Sequence, residues 1–201
     1  MRARGTTTVE IKTGYGLEPQ LENLQLDVID SLREQAPAHS IFATALAHVI
    51  PPHRRDNRQE YIDEFCAEVL EPAALQKRVQ FCDVFVESGA YTPDECKYIC
   101  ERAKALGLRI KLHVDQLHEG AGAALAASLD ALSADHLEMT SPSGREALAD
   151  SGTIATILPG CGLFLGGDNW PDGRALRDSG CEVAVATDCN PGSSMVSDLA
   201  L

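Results

Sequence analysis

Short apolar, β-branched runs alternate along the chain with longer stretches of helical periodicity. The runs predict strands over residues 7–11, 41–47, 83–86, 109–114, 131–134, 153–158 and 182–186. The stretches between them predict helices over 18–34, 56–76, 93–106, 121–129, 143–149 and 174–178. The helix with the fullest signals starts with Thr92 as N-cap, Pro93 at the first helical position and Glu95 completing a capping box. Gly107 sits where a left-handed C-terminal cap would end it. Few of the strand runs alternate strictly between apolar and polar residues, which is the pattern of strands buried on both faces.

Strands separated by helices imply a parallel sheet with right-handed crossovers. The number of predicted strands is seven, whereas a closed barrel of this kind has eight. A strand has been overlooked, the sheet is open, or the chain is one unit short. The N-terminus favours the last option, because the chain enters a strand after only six residues with no helix before it. No helix follows the last strand before Leu201. The expectation is a single partial domain over residues 1–201, reading as a piece of something larger.

Composition narrows the function. The chain has 201 residues, enough for one sizeable core, and 44% of them are hydrophobic. A net charge of −13 argues against nucleic acid and anionic membranes as partners. No apolar run is long enough to span a bilayer, and Met1-Arg2-Ala3-Arg4 does not lead into a signal-peptide core. Seven cysteines, an odd number lying mostly inside predicted elements, fit a reduced cytoplasmic protein better than a disulfide scaffold. Cys96 and Cys100 are one helical turn apart, but nothing supplies further cysteine ligands.

The chemistry collects at strand ends, where barrels of this class build their active sites. His113 closes Arg109-Ile110-Lys111-Leu112, with Asp115 and Gln116 just beyond. His136 ends the next strand run, and Asp188 ends the last one, leading into Cys189-Asn190-Pro191-Gly192-Ser193-Ser194. Two imidazoles and a carboxylate suit zinc or ferrous iron and the activation of a water for hydrolysis. Near the N-terminus, Gly14 and Gly16 flank Tyr15 in a turn after the first strand, a spacing unlike that of a phosphate loop. His48 closes the second strand, as a rim residue or a substrate contact.

These blocks together resemble the imidazolonepropionases, the histidine-degradation family of the amidohydrolase superfamily. The Lys12-Thr13-Gly14-Tyr15-Gly16-Leu17 run is similar to the family's Lys-Ser-Gly-Tyr-Gly-Leu signature, with Thr13 in place of serine. His113-Val114-Asp115-Gln116 resembles its His-Ala-Asp-Gln/Glu motif, and Ser133-Ala134-Asp135-His136-Leu137 and Asp188-Cys189-Asn190-Pro191-Gly192-Ser193 also match. The resemblance implies an α/β fold, an incomplete (β/α)8 TIM-type barrel of the metal-dependent amidohydrolases with the first strand and the small β-sandwich missing. It implies one divalent metal, Zn(2+) or Fe(2+/3+), with His113 and Asp188 as ligands. It implies substrate contacts at Tyr15, His48, Gln116, Asn190, Gly192 and Ser193, and catalytic roles for Asp188, His136 and Gln116. The implied reaction opens the lactam ring of 4-imidazolone-5-propanoate to N-formimino-L-glutamate, in an enzyme expected to be a cytoplasmic homodimer acting on a small molecule.

The chain departs from that family in lacking the first-strand His-x-His pair and the arginine that follows it. Two of four expected metal ligands remain, so weak metal binding and little hydrolysis are expected of the chain alone. The alternatives are another cyclic amidohydrolase or heterocycle deaminase of the superfamily, or a non-catalytic fragment.

Overall fold

The computed structural model describes residues 1–36, 40–166 and 168–199. The chain divides into two compact units, Thr6–Ile110 and Lys111–Leu201, with Met1 and residues 3–5 counted with the second.

In the first unit, β1 (Thr8–Lys12), β2 (Ser40–Ala47) and β3 (Phe81–Val86) pair in parallel, with Thr8 opposite Ser40 and Thr44 opposite Phe81. The last five residues of β2 are buried, whereas no residue of β1 is fully buried. That agrees with a β2 run that is apolar from Ile41 to Ala47 except for Thr44, whereas charged residues punctuate β1. Helix α1 (Pro19–Gln35) buries Leu26 and Ile29, and α4 (Pro93–Ala105) buries Cys96, Ile99 and Cys100. The α4 capping box is present, with Thr92 Oγ1 accepting from the Glu95 N–H at 3.2 Å and Glu95 Oε2 accepting from the Thr92 N–H at 2.8 Å. Gly107 takes φ 79°, and its N–H reaches the Lys104 carbonyl, as a left-handed cap requires.

The helix predicted over 56–76 is instead four joined pieces. A 3₁₀ turn (Pro52–Asn57) leads into α2 (Arg58–Glu64), a π-helical turn (Phe65–Leu70) and α3 (Glu71–Leu75). Pro72 supplies the reason. It has no N–H for the Glu68 carbonyl, and its ring would crowd that carbonyl in a regular α-helix. The π turn lies just ahead of it, and the Glu68 carbonyl accepts from the Asn23 side chain at 3.0 Å instead.

The second unit continues the alternation. From Lys111 onward, β4 (Arg109–Val114) pairs in parallel with β5 (Ser133–His136), and β5, β6 (Ile154–Ile157) and β7 (Val183–Val185) follow in parallel and in sequence order. β5 is buried throughout and starts two residues later than the sequence predicts, so it includes His136 rather than ending short of it. Helices α5 (Gly122–Ser128), α6 (Pro142–Ser151), α7 (Pro159–Leu165) and α8 (Gly173–Asp178) fall between the strands. α7 was not predicted, because it is seven residues long and carries glycines at 160 and 162. Leu112, Val114, Ala123, Ala126, Ala134, Leu148, Ala155 and Leu176 form the buried apolar set. Among the described residues no helix is long and apolar enough to cross a membrane.

Candidate metal centre and substrate loop

In the second unit, parallel pairing sets His113 opposite Asp135 and Val114 opposite His136. Two adjacent strands therefore deliver histidines at their C-terminal ends, and their rings lie 5.3 Å apart between centroids. Asp188 comes from the segment after β7. One donor atom each from His113, His136 and Asp188 lies within 4.8 Å of the others. This grouping joins the two expected metal ligands to the histidine expected beside them.

The backbone is bent to make the arrangement. Asp115, His136, Leu137 and Asp188 all adopt positive φ, at 51°, 85°, 71° and 49°. Non-glycine residues held there cost on the order of 1–3 kcal/mol each and persist only where the surroundings impose them. Among the described residues, half of the eight non-glycine positive-φ residues lie at these strand exits.

His136 and Glu138 are buried together, with Nδ1 and Oε1 3.5 Å apart. Neither His136 Nδ1 nor Glu138 Oε2 has a hydrogen-bond partner. Buried polar atoms are rarely left so. Two imidazoles and a carboxylate, with an orphaned ring nitrogen among them, fit a divalent cation of the zinc or iron type. The sequence pattern did not single out Glu138.

Asp115, two residues on from the metal-ligand candidate His113, has another occupation. Its Oδ1 accepts from the Gly120 and Gly122 N–H groups at 3.2 and 2.8 Å, and its Oδ2 from Ala123 N–H at 3.0 Å and Thr140 Oγ1 at 3.2 Å. The N-cap residue of α5, Ala121, provides no side-chain bond, so Asp115 caps the helix from a distance. Gly122 is required beneath it, since a Cβ there would lie 2.5 Å from Val114 Cβ.

Gln116 places its amide nitrogen 3.5 Å from the sulfur of Cys161 on α7. Burial pushes the Cys161 thiol up from its ordinary pKa, opposed by the Ser193 hydroxyl and reinforced by the Asp188 and Glu138 carboxylates. Cys161 thus borders the donor group, although its seven-residue helix gave no signal in the sequence. Asn190 spends its whole side chain inside its own loop. Its amide nitrogen donates to the Asp188 carbonyl at 2.7 Å and to Ser193 Oγ at 2.9 Å, while its oxygen accepts from the Gly192 and Ser193 N–H groups at 2.8 and 2.7 Å. That fills both donors and both acceptor positions of an asparagine. Ser193 Oγ in turn reaches Asp188 Oδ2 at 3.4 Å, so the Asn-Pro-Gly-Ser turn holds the aspartate in place.

The Gly14–Leu17 turn lies in the first unit and is equally well braced. Glu22 on α1 is buried and accepts three backbone N–H groups: Gly14 at 2.6 Å, Gly16 at 2.7 Å and Leu17 at 2.9 Å. Thr13 is buried, and its hydroxyl accepts from the Leu46 N–H at 3.3 Å, a bond the serine expected there could also make. Tyr15 projects outward, its ring centroid 4.9 Å from that of His48, and His48 lies 5.8 Å from Phe85. His48 Nδ1 faces the Gly14 carbonyl at 3.2 Å. A carbonyl only accepts, so this contact sets the proton on Nδ1.

Parallel strand–helix units with polar groups at strand ends are the arrangement of (β/α) barrels, and solved structures share the fold. A guanine deaminase from C. acetobutylicum superposes with TM-score 0.65 over 95% of this chain and 48% of its own, at 13% identity. An adenine deaminase from Arthrobacter aurescens also gives 0.65, over 92% of this chain and 58% of its own, at 18% identity. An adenosine deaminase from Xanthomonas campestris, whose structure holds zinc, gives 0.58 over 95% and 44% at 16% identity. At these identities the likeness is one of fold, and the fold is an incomplete TIM-type α/β barrel.

The sequence likeness is narrower. The chain is 41% identical over 201 residues to the imidazolonepropionase of Idiomarina loihiensis, and 42% identical over 197 residues to that of Bradyrhizobium diazoefficiens. It is therefore similar to imidazolonepropionases along its whole length. The chain spans about half the length of these curated relatives, 49% of each. No family model matches it.

Proposed function

We propose that this chain carries the metal-binding and substrate-facing residues of an imidazolonepropionase, which hydrolyses 4-imidazolone-5-propanoate to N-formimino-L-glutamate. The observation that carries the reading is the meeting of His113, His136 and Asp188 at three strand ends in a chain about 40% identical to such enzymes.

His113 and Asp188 would hold one divalent metal, zinc or iron, with His136 beside them. When bound, the metal supplies Lewis acidity that makes water nucleophilic near neutral pH. The chain's own groups do the rest. Asp188, steadied by Ser193, takes the proton of the attacking water and returns it to the ring nitrogen as the lactam C–N bond breaks. The hydroxyl ends on the former lactam carbonyl carbon, so the atoms of one water are consumed. His136 donates a hydrogen bond to the oxyanion that develops on that carbonyl. In the second unit Gln116, Gly192 and Ser193 face the substrate, and Asn190 shapes their loop. In the first unit Tyr15 and His48 are the substrate groups. Seven free cysteines, six of them buried, support a reducing cytoplasmic setting. With two metal ligands rather than the four expected of the family, the chain by itself binds metal weakly and turns over little.

Calorimetric titration of the metal-stripped chain with zinc, and separately with ferrous iron under anaerobic conditions, tests this. One metal per chain is expected, lost in His113→Ala and Asp188→Ala. His136→Ala should keep the metal while removing the ring opening followed by ultraviolet absorbance of imidazolone propionate in a longer, active form. Unchanged metal binding in His113→Ala would defeat the assignment. Release of ammonia from aminated heterocycles, with imidazolone propionate untouched, would favour the deaminase alternative.

A further inference from the structure

Glu22 is a buried carboxylate that the ring-opening chemistry does not use. It sits on the first turn of α1, yet it makes no contact of the capping-box kind; all three of its hydrogen bonds go back to the Gly14–Leu17 turn. The geometry of the turn is tight. Gly14 is at φ 105°, and Gly16 lies so close to α1 that a Cβ would be 2.7 Å from the Glu22 nitrogen. The N–H groups of Gly14, Gly16 and Leu17 point inward, and the one carboxyl group accepts from all three.

The consequence reaches beyond the turn. The Gly14 carbonyl, whose peptide neighbour Glu22 anchors, accepts from His48 Nδ1. The position of Tyr15 between two anchored glycines sets its tilted contact with the same imidazole. We propose that Glu22 is a positioning residue: through the backbone of Gly14–Leu17 it fixes both the placement of the Tyr15 ring and the Nδ1–H tautomer of His48. The role rests on the reading of Tyr15 and His48 as substrate contacts. It confers selectivity for a planar heterocycle, because the Tyr15 ring and the His48 imidazole adjoin and together offer aromatic surface.

The test uses the whole chain and two variants, Glu22→Gln and Tyr15→Ala, with imidazole-4-propanoate as a stable probe. Glutamine keeps one oxygen but turns a donor toward an N–H, so amide hydrogen exchange at Gly14, Gly16 and Leu17 should speed up by about tenfold or more, with β2 unchanged. Probe affinity should fall by about tenfold in Glu22→Gln, and by a smaller factor when Tyr15→Ala is already present, the remainder being the part carried by His48. In the unaltered protein, ¹⁵N shifts of His48 should report the Nδ1–H form, a readout that needs no variant to fold. Unchanged exchange, an Nε2–H tautomer, or an affinity loss that persists undiminished beside Tyr15→Ala overturns the proposal. If the unaltered chain ignores the probe while exchange still responds to Glu22→Gln, the substrate reading of the loop fails, and the role proposed for Glu22 in recognition falls with it.

Discussion

Replacing Asp115 should cost stability rather than chemistry, although it stands two residues from a metal-ligand candidate in a family-like motif. Its carboxylate serves four donors, and two of them, the Gly122 and Ala123 N–H groups, are buried at the start of α5. Gly120 is exposed and can be hydrated when the carboxylate is removed. Leaving each buried donor unpaired costs about 1–3 kcal/mol, so Asp115→Ala should destabilise the second unit by about 4 kcal/mol. Asp115→Asn keeps one acceptor and tolerates the left-handed backbone at φ 51°, so it should lose about half of that. With a urea dependence of about 2 kcal/mol per molar, the midpoint followed by far-ultraviolet circular dichroism should drop by about 2 M for alanine and about 1 M for asparagine. Metal binding per folded chain should survive the asparagine change. If both midpoints stayed within about 0.3 M of the unaltered protein, remote capping of α5 would be wrong.

Two further outcomes are expected. Burial pushes the Glu95 carboxyl up, but its two-pronged pairing with Arg58 at 2.5 and 2.6 Å and the Thr92 N–H bond outweigh it and hold the carboxyl below its ordinary value of 4.5. A carboxyl with a depressed folded pKa stabilises above its unfolded pKa and loses that contribution as pH falls through the folded one. Stability measured by urea titration should therefore fall below about pH 4.5, with a gentler fall in Glu95→Gln; an identical acid slope would contradict the pairing. Of seven free cysteines only Cys189 is exposed, so a disulfide reagent such as DTNB should titrate one thiol quickly in the native protein and seven in denaturant. Rapid reaction of a second thiol would show that Cys161 or another buried sulfur is reachable.

Much of the architecture was legible because each element carries its own local signal. The Thr92–Glu95 box and Gly107 bracketed α4 to within a residue, since both ends depend on side chains adjacent in sequence. Pro72 was an equally local signal within the predicted 56–76 helix, and it marks the place where the π turn intervenes. The donor group was legible in part because a histidine or aspartate closing an apolar run is a one-dimensional pattern. Glu22, Glu138 and Cys161 were not, because their partners are set by tertiary approach: a turn folding back on a helix, a left-handed exit, and a short helix with no period. Asp115 shows the converse, a residue whose motif promised chemistry and whose oxygens went to backbone.

The four left-handed residues at the strand exits imply a ledger between stability and chemistry along this rim. His136 and Asp188 hold conformations that asparagine or glycine would accept more readily. Selection for thermal tolerance alone would therefore drift toward Asp188→Asn, an isosteric change that eases the backbone while erasing the anionic donor. A library screened only for folding should enrich it, and one screened for metal retention should purge it. On the proposed reading, the strain at His136 and Asp188 is what folding concedes to metal retention at this rim.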